Sequence, residues 1–173
     1  MSDDLAKRQH VVNSGAAAPA RSPAGDAFSM LAIAALQLAG HLTMAGDALA
    51  RPAGQTSARW QVLAAAGHAT MSVAQIARAL GQARQGVQRL ADLLEADGLA
   101  RYQDNPAHLR AKLLVLTPRG RKVLNAIKAR QAVWANALGA EIGESGLREA
   151  SAVLGRVLDT LKAQAGDDEG VRS

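Results

Sequence analysis

The 173-residue sequence contains no cysteine. That excludes disulfides, thiolate zinc sites and a cysteine redox switch, and it suits a reducing cytoplasm, the expected location. Aromatic residues are nearly as scarce: Phe28, Trp60, Tyr102 and Trp134 are all there are. The core must therefore come mostly from alanine and leucine, which lose little freedom in helices, and β-branched residues are sparse. Such a core is thin, and burying helix surfaces against a second chain would help it. No secretory leader is expected, because residues 1–13 are charged and lack an apolar segment. The longest apolar run, Ala27 to Ala39, is too short for a bilayer and contains Gln37, so no membrane partner is expected. His10, His41, His68 and His108 lack metal-ligand spacing, and neither a metal nor a cofactor is expected. There is no GxSxG, P-loop, GxGxxG after a strand, or HExxH. Carboxylates such as Glu95 and Asp97 read as solvated positions, and the chain is not expected to be an enzyme.

What is present is a basic middle. Net charge is +5, and residues 72–122 alone hold nine Lys/Arg against four Asp/Glu. That balance permits a polyanionic partner, although a solvated surface has the same composition.

Residues 1–25 mix charge with Ala, Gly, Ser and Pro and read as a disordered arm. A long helix is predicted from Asp26, as N-cap, to Leu49, with Phe28, Leu31, Ala35, Leu38, Leu42 and Leu49 spaced mostly by three and four. Thr56 or Ser57 caps a helix ending near Ala66, with Gly67 as its breaker. Ser72 caps a helix over 73–80 that Gly81 closes, and another runs from about Arg84 to Ala96 and stops at Gly98. Two short helices joined by a tight glycine turn are the helix-turn-helix pattern. Strands at 99–102 and 112–116 flank a turn at Asp104-Asn105-Pro106. Thr117-Pro118 then opens a helix to about Ile142. Gly143 and Gly146 interrupt it, and Ser145 caps a last helix over about 147–164, with a seam of Leu147, Leu154, Leu158 and Leu161. The end of the chain reads as an acidic, frayed tail.

In the helix at 84–96, Val87, Leu90, Ala91 and Leu94 form one face, which must be the buried one. That rotation leaves Arg84, Gln85, Gln88 and Arg89 free near its N-terminal end. Arg can bond guanine O6 and N7 in pairs, and Gln can do the same with adenine N6 and N7. Polar residues outside an ordinary surface helix look the same; the order helix, turn, helix, basic hairpin is what favours DNA reading. The hairpin carries Arg101, Arg110 and Lys112, suited to a minor groove and to phosphates.

At these residues the chain resembles the multiple antibiotic resistance regulator (MarR) family. The resemblance rests on 72–77 (SVAQIA), 84–89 (RQGVQR), 94–99 (LEADGL), and Asn105-Pro106 through Leu116-Thr117-Pro118-Arg119-Gly120, and covers about 26–164 in element order. It implies a mainly α fold with a small β-hairpin: a winged helix-turn-helix at 55–117, flanked by N- and C-terminal dimerisation helices at 26–50 and 118–164, with a flexible tail at 165–173. It further implies a triangular homodimer on double-stranded DNA, at a pseudo-palindromic operator, with 84–96 in the major groove and the wing in the minor groove. Ser72 and His108 join the DNA-contact candidates. Repression relieved by a small, often aromatic and anionic ligand is the implied function. The chain departs from the family at His108, where an aspartate commonly stands two residues before the wing arginine, here Arg110, and at Leu93, where a polar residue is usual. Leu93 reads as packing against a neighbouring helix or as an exposed leucine. The absent cysteine excludes induction by thiol oxidation. In relatives the effector lies between the dimerisation helices and the winged domain, where this chain offers His41, Met44, Arg59, Trp60, His68 and Met71. A stacking Trp beside a cationic Arg or His would suit a flat anion, while the same residues serve equally as plain core. The alternative function is a winged-helix module for non-specific DNA binding or protein interaction.

Overall fold

A computed structural model describes residues 20–106 and 111–170, the last five of these by backbone only. The order is α1 (Pro23–Ala50), a 3₁₀ turn (Arg51–Ala53), α2 (Ser57–His68), β1 (Met71–Ser72), α3 (Val73–Leu80), α4 (Arg84–Ala96), β2 (Ala100–Gln103), β3 (Leu113–Leu116), α5 (Pro118–Ile142) and α6 (Glu144–Gly170). The mainly helical class is as composition favours, and the small antiparallel sheet contains the expected wing hairpin.

The chain divides into two units, 1–41 and 42–173. In the first, the described residues are the lead-in and most of α1. Its cap is Ser22, not Asp26: the Ser22 hydroxyl accepts from the Gly25 N–H at 3.1 Å, and Pro23 occupies the first helical position, where no N–H is needed. Phe28, Met30, Ile33, Leu36 and Leu38 are all exposed, Leu36 at 75%. Residues 23–53 are helical throughout and, by length and composition alone, could cross a bilayer, an 18-residue stretch within them having a mean hydropathy of 1.5. The stretch Ala27 to Ala39 is too short by itself, whereas the helix that carries it also runs through Gly40, His41 and Asp47.

In the second unit, Val62, Leu63, Ile76, Val87, Leu94 and Leu114 are fully buried and form the centre of the core. Burying each such side chain stabilises by about 1.5–3 kcal/mol. The end of α1 meets the start of α2 closely: Asp47 Oδ1 accepts from the Ser57 N–H at 2.6 Å, and a Cβ on Gly46 would lie 2.5 Å from Ser57 Oγ. Thr56 caps α2 as expected. Gly67 does not break α2. It lies inside the helix, where a Cβ would meet Leu124 Cδ2 at 2.6 Å, so the glycine serves close packing against α5.

The sheet has the order β1-β3-β2, antiparallel throughout. Its third strand, β1, was not predicted; Met71 and Ser72 pair with Leu114 and Leu113. Thr117 caps α5 through the Gly120 N–H at 3.0 Å. At the next junction Gly143 alone makes the turn, with φ of 92°. Ser145 and Gly146 are already inside α6; the Ser145 hydroxyl bonds Glu149 rather than capping. The backbone of α6 continues to Gly170, so the predicted frayed tail is helical over 166–170. Leu147, Val153, Leu158 and Leu161 stand exposed along it.

Candidate nucleic-acid interface

Local chemistry sets the helix-turn-helix. Ser72 and Gln75 form a capping box: Gln75 N–H reaches Ser72 Oγ at 3.4 Å and Ser72 N–H reaches Gln75 Oε1 at 2.8 Å. Gly81, at φ 63°, ends α3 in the left-handed conformation that glycine adopts without strain. The following Ala83 starts α4 without a side-chain cap. Val87, Ala91 and Leu94 are fully buried on the inner face of α4, as the spacing requires, with Leu90 partly buried beside them. Arg84, Gln85 and Arg89 are exposed and Gln88 is half-buried. Leu93 is exposed rather than packed on a neighbouring helix.

Ser72, Arg84, Gln88, Tyr102 and Lys112 line one cleft of about 310 Å³, between the starts of α3 and α4 and the wing strands. Four of the sequence-predicted DNA residues thus meet at one place. Ser72 contributes position, since its side chain is buried and engaged in the cap. Gln85 and Arg89 lie on α4 outside the cleft. Arg101 is exposed on β2 next to Tyr102, and alternation along a strand turns the two to opposite faces. His108 and Arg110 lie outside the described residues.

The sequence reading missed Tyr102 and Asp92 as members of the site. Tyr102 Oη donates to Asp92 Oδ1 at 2.6 Å. Gln88 Nε2 donates to the same Asp92 oxygen at 2.8 Å and to Tyr102 Oη at 2.7 Å. Partial burial, then the hydrogen bond to Asp92 and its charge, push the Tyr102 phenol well above its ordinary value. It stays protonated and donates. Strand alternation was the sole signal that Tyr102 would face α4.

A second cavity, of about 500 Å³, is mostly apolar and lies among the end of α1, α2, α3 and α5. Trp60, His68 and Met71 line it, as anticipated, and Trp134, Leu49 and Leu80 join them. Three other anticipated residues do not. Met44 is 61% exposed, His41 belongs to the first unit, and the Arg59 guanidinium pairs with Asp97 on the turn after α4. With Arg59 so engaged, the cavity has an aromatic and aliphatic lining without the predicted arginine. Gln61, also in the lining, accepts from Gln82 in the α3–α4 turn at 2.8 Å. Among the described residues no cluster of His, Asp and Glu could hold a metal ion.

Residues 53–111, from the last residue of the 3₁₀ turn to just before β3, match the MarR family. An uncharacterised protein of Mycobacterium tuberculosis is 40% identical over 139 residues, covering 80% of this chain and 97% of the relative. Among solved structures, the Mycobacterium tuberculosis transcriptional regulator MosR in complex with DNA is similar at 26% identity and a TM-score of 0.63, over 75% of this chain and 96% of that one. CouR from Rhodococcus jostii RHA1, bound to p-coumaroyl-CoA, has the same fold at 20% identity and a TM-score of 0.65, over 73% of this chain and 90% of that one. Sequence, fold and the cleft at the start of α4 agree: the chain belongs to the MarR family of DNA-binding, winged-helix transcriptional regulators.

Proposed function

We propose that this protein is a sequence-specific repressor that binds a pseudo-palindromic operator as a homodimer in the cytoplasm and is released by a small molecule. The observation that carries the reading is the convergence of Arg84, Gln88 and Lys112 on one cleft at the N-terminal end of α4. A recognition helix reads base edges with its N-terminal residues. Arg84, Gln85, Gln88 and Arg89 take that role here, Lys112 neutralises a phosphate, and Arg101, His108 and Arg110 serve the wing. The DNA-bound relative supports the same use of the fold.

The dimer is supported by the exposed apolar residues of α1, the second half of α5, and α6. Leu36, Val133 and Leu158 are 75%, 72% and 54% exposed, and a second copy of the chain would cover such faces. In this reading 26–50 and 118–164 dimerise, 55–117 bind DNA, and two recognition helices meet half-sites about 34–36 Å apart. Release is supported by the apolar cavity beside the helix-turn-helix and by the ligand held in a relative of the same fold. A ligand acts only through its differential affinity for the DNA-competent and DNA-incompetent spacings.

A reporter driven by the DNA upstream of the protein's own coding region tests the repressor role. Lowered output that Arg84→Ala restores supports it. Output unchanged or raised by the protein contradicts it.

A further inference from the structure

We propose that the apolar cavity of about 500 Å³ takes an uncharged, flat aromatic ligand and selects against the anion that the family resemblance implies. The inference rests on release by a small molecule, proposed above, and names the chemical class of that molecule. Its ground is where the fold places the cations around a cavity built wholly from the second unit.

From α2, Ser57, Trp60, Gln61, Ala64, Ala65 and His68 line the cavity. Spacing by three and four makes these one face of the helix. Arg59, two residues after Ser57, stands about 200° round the helix from it. Its guanidinium is paired there with Asp97. From α5, Gln131 and Trp134 contribute. Lys128, one turn earlier, and Arg121 line a different cleft, of about 380 Å³, among α5, the end of α2 and β3. The two cavities share only His68. The lining of the apolar cavity therefore holds no Lys, Arg, Asp or Glu, and His68, which is exposed, is its one titratable side chain.

A carboxylate that leaves water for such a lining meets no arginine or lysine. An unpaired buried charge costs far more than a buried amide or hydroxyl that finds a hydrogen bond. Neutral polar groups can find one at Gln61 or Gln131, whose amides both donate and accept. Trp60 and Trp134 offer aromatic surface suited to stacking on a flat ring.

Two probes of one shape, 2-naphthamide and 2-naphthoate, differ mainly in charge. Each is titrated calorimetrically into the full chain at about pH 8, where an imidazole in water is neutral. The amide is expected to bind about a hundredfold more tightly. Ala64→Phe, which fills part of the space, is expected to weaken the amide and so to locate it. Gln131→Arg supplies the missing cation and is expected to narrow the gap to about tenfold or to reverse it. Lys128→Gln is expected to leave the gap unchanged. Naphthoate binding as tightly as the amide would overturn the inference and leave release by an anionic ligand standing. A gap that Gln131→Arg does not narrow, or binding of neither probe, would also overturn it. Amide bound at the expected ratio with operator affinity unchanged would support the inference and contradict release from this cavity.

Discussion

A Cβ built on Gly120, in the first turn of α5, would stand 1.9 Å from the carbonyl oxygen of Leu99, at the foot of the wing. The same carbonyl accepts from the Thr117 N–H at 3.1 Å, and the Thr117 hydroxyl donates to the Gly98 carbonyl at 2.8 Å. The start of α5 is thereby tied to the start of β2, at the two ends of the wing segment. The obstacle is backbone and cannot swing aside as a side chain would. Gly120→Ala is expected to destabilise the protein by about 3 kcal/mol, lowering the melting temperature by about 10 °C. Melting within a degree or two of wild type would contradict this packing.

Arg84 is exposed at the start of α4 and lines the cleft. If it reads a base, Arg84→Ala costs about 1–3 kcal/mol on the operator and much less on unrelated DNA. Titration of both duplexes checks this. Equal losses on the two would reduce Arg84 to a phosphate contact.

Both tryptophans of the chain, Trp60 and Trp134, line the apolar cavity. Intrinsic fluorescence therefore reports occupancy of that cavity directly. A hydrophobic ligand that releases DNA is expected to quench or shift it, and Ala64→Phe, which fills part of the space, is expected to weaken the ligand without altering DNA affinity. Release of DNA with unchanged tryptophan emission would mean that the ligand binds elsewhere.

Leu158 and Leu161 are 54% and 47% exposed on α6, so changing them costs a lone chain little. Across a dimer each leucine contributes up to about 2 kcal/mol of burial. Leu158→Asp with Leu161→Asp is expected to yield folded monomers in sedimentation and to abolish operator binding. A dimer of wild-type stability would show that α6 is not in the interface.

The helix-turn-helix was legible because its signals are local: Ser72 caps α3, Gly81 ends it, and three-four spacing sets the buried face of α4. What was not legible depends on distant partners. Gly67 looks like a breaker until Leu116 and Leu124 are folded against it. The two-residue β1 has no periodicity to read and exists only by pairing with β3. Arg59 looked like a ligand cation because nothing in its neighbourhood announces Asp97, 38 residues on. The cleft was half legible for the same reason. Arg84 and Gln88 sit one helical turn apart and announce a common face, whereas Tyr102, which engages Gln88, comes from a different element.

The central claim, sequence-specific recognition by the α4 cleft, is tested most directly by fluorescence anisotropy. The purified protein is titrated into labelled DNA from its own upstream region and into a scrambled duplex of equal length, at about 0.15 M salt. The account predicts a preference of about a thousandfold for the upstream DNA. Equal, steeply salt-dependent affinity for the two would contradict it and mark the chain as a non-specific binder.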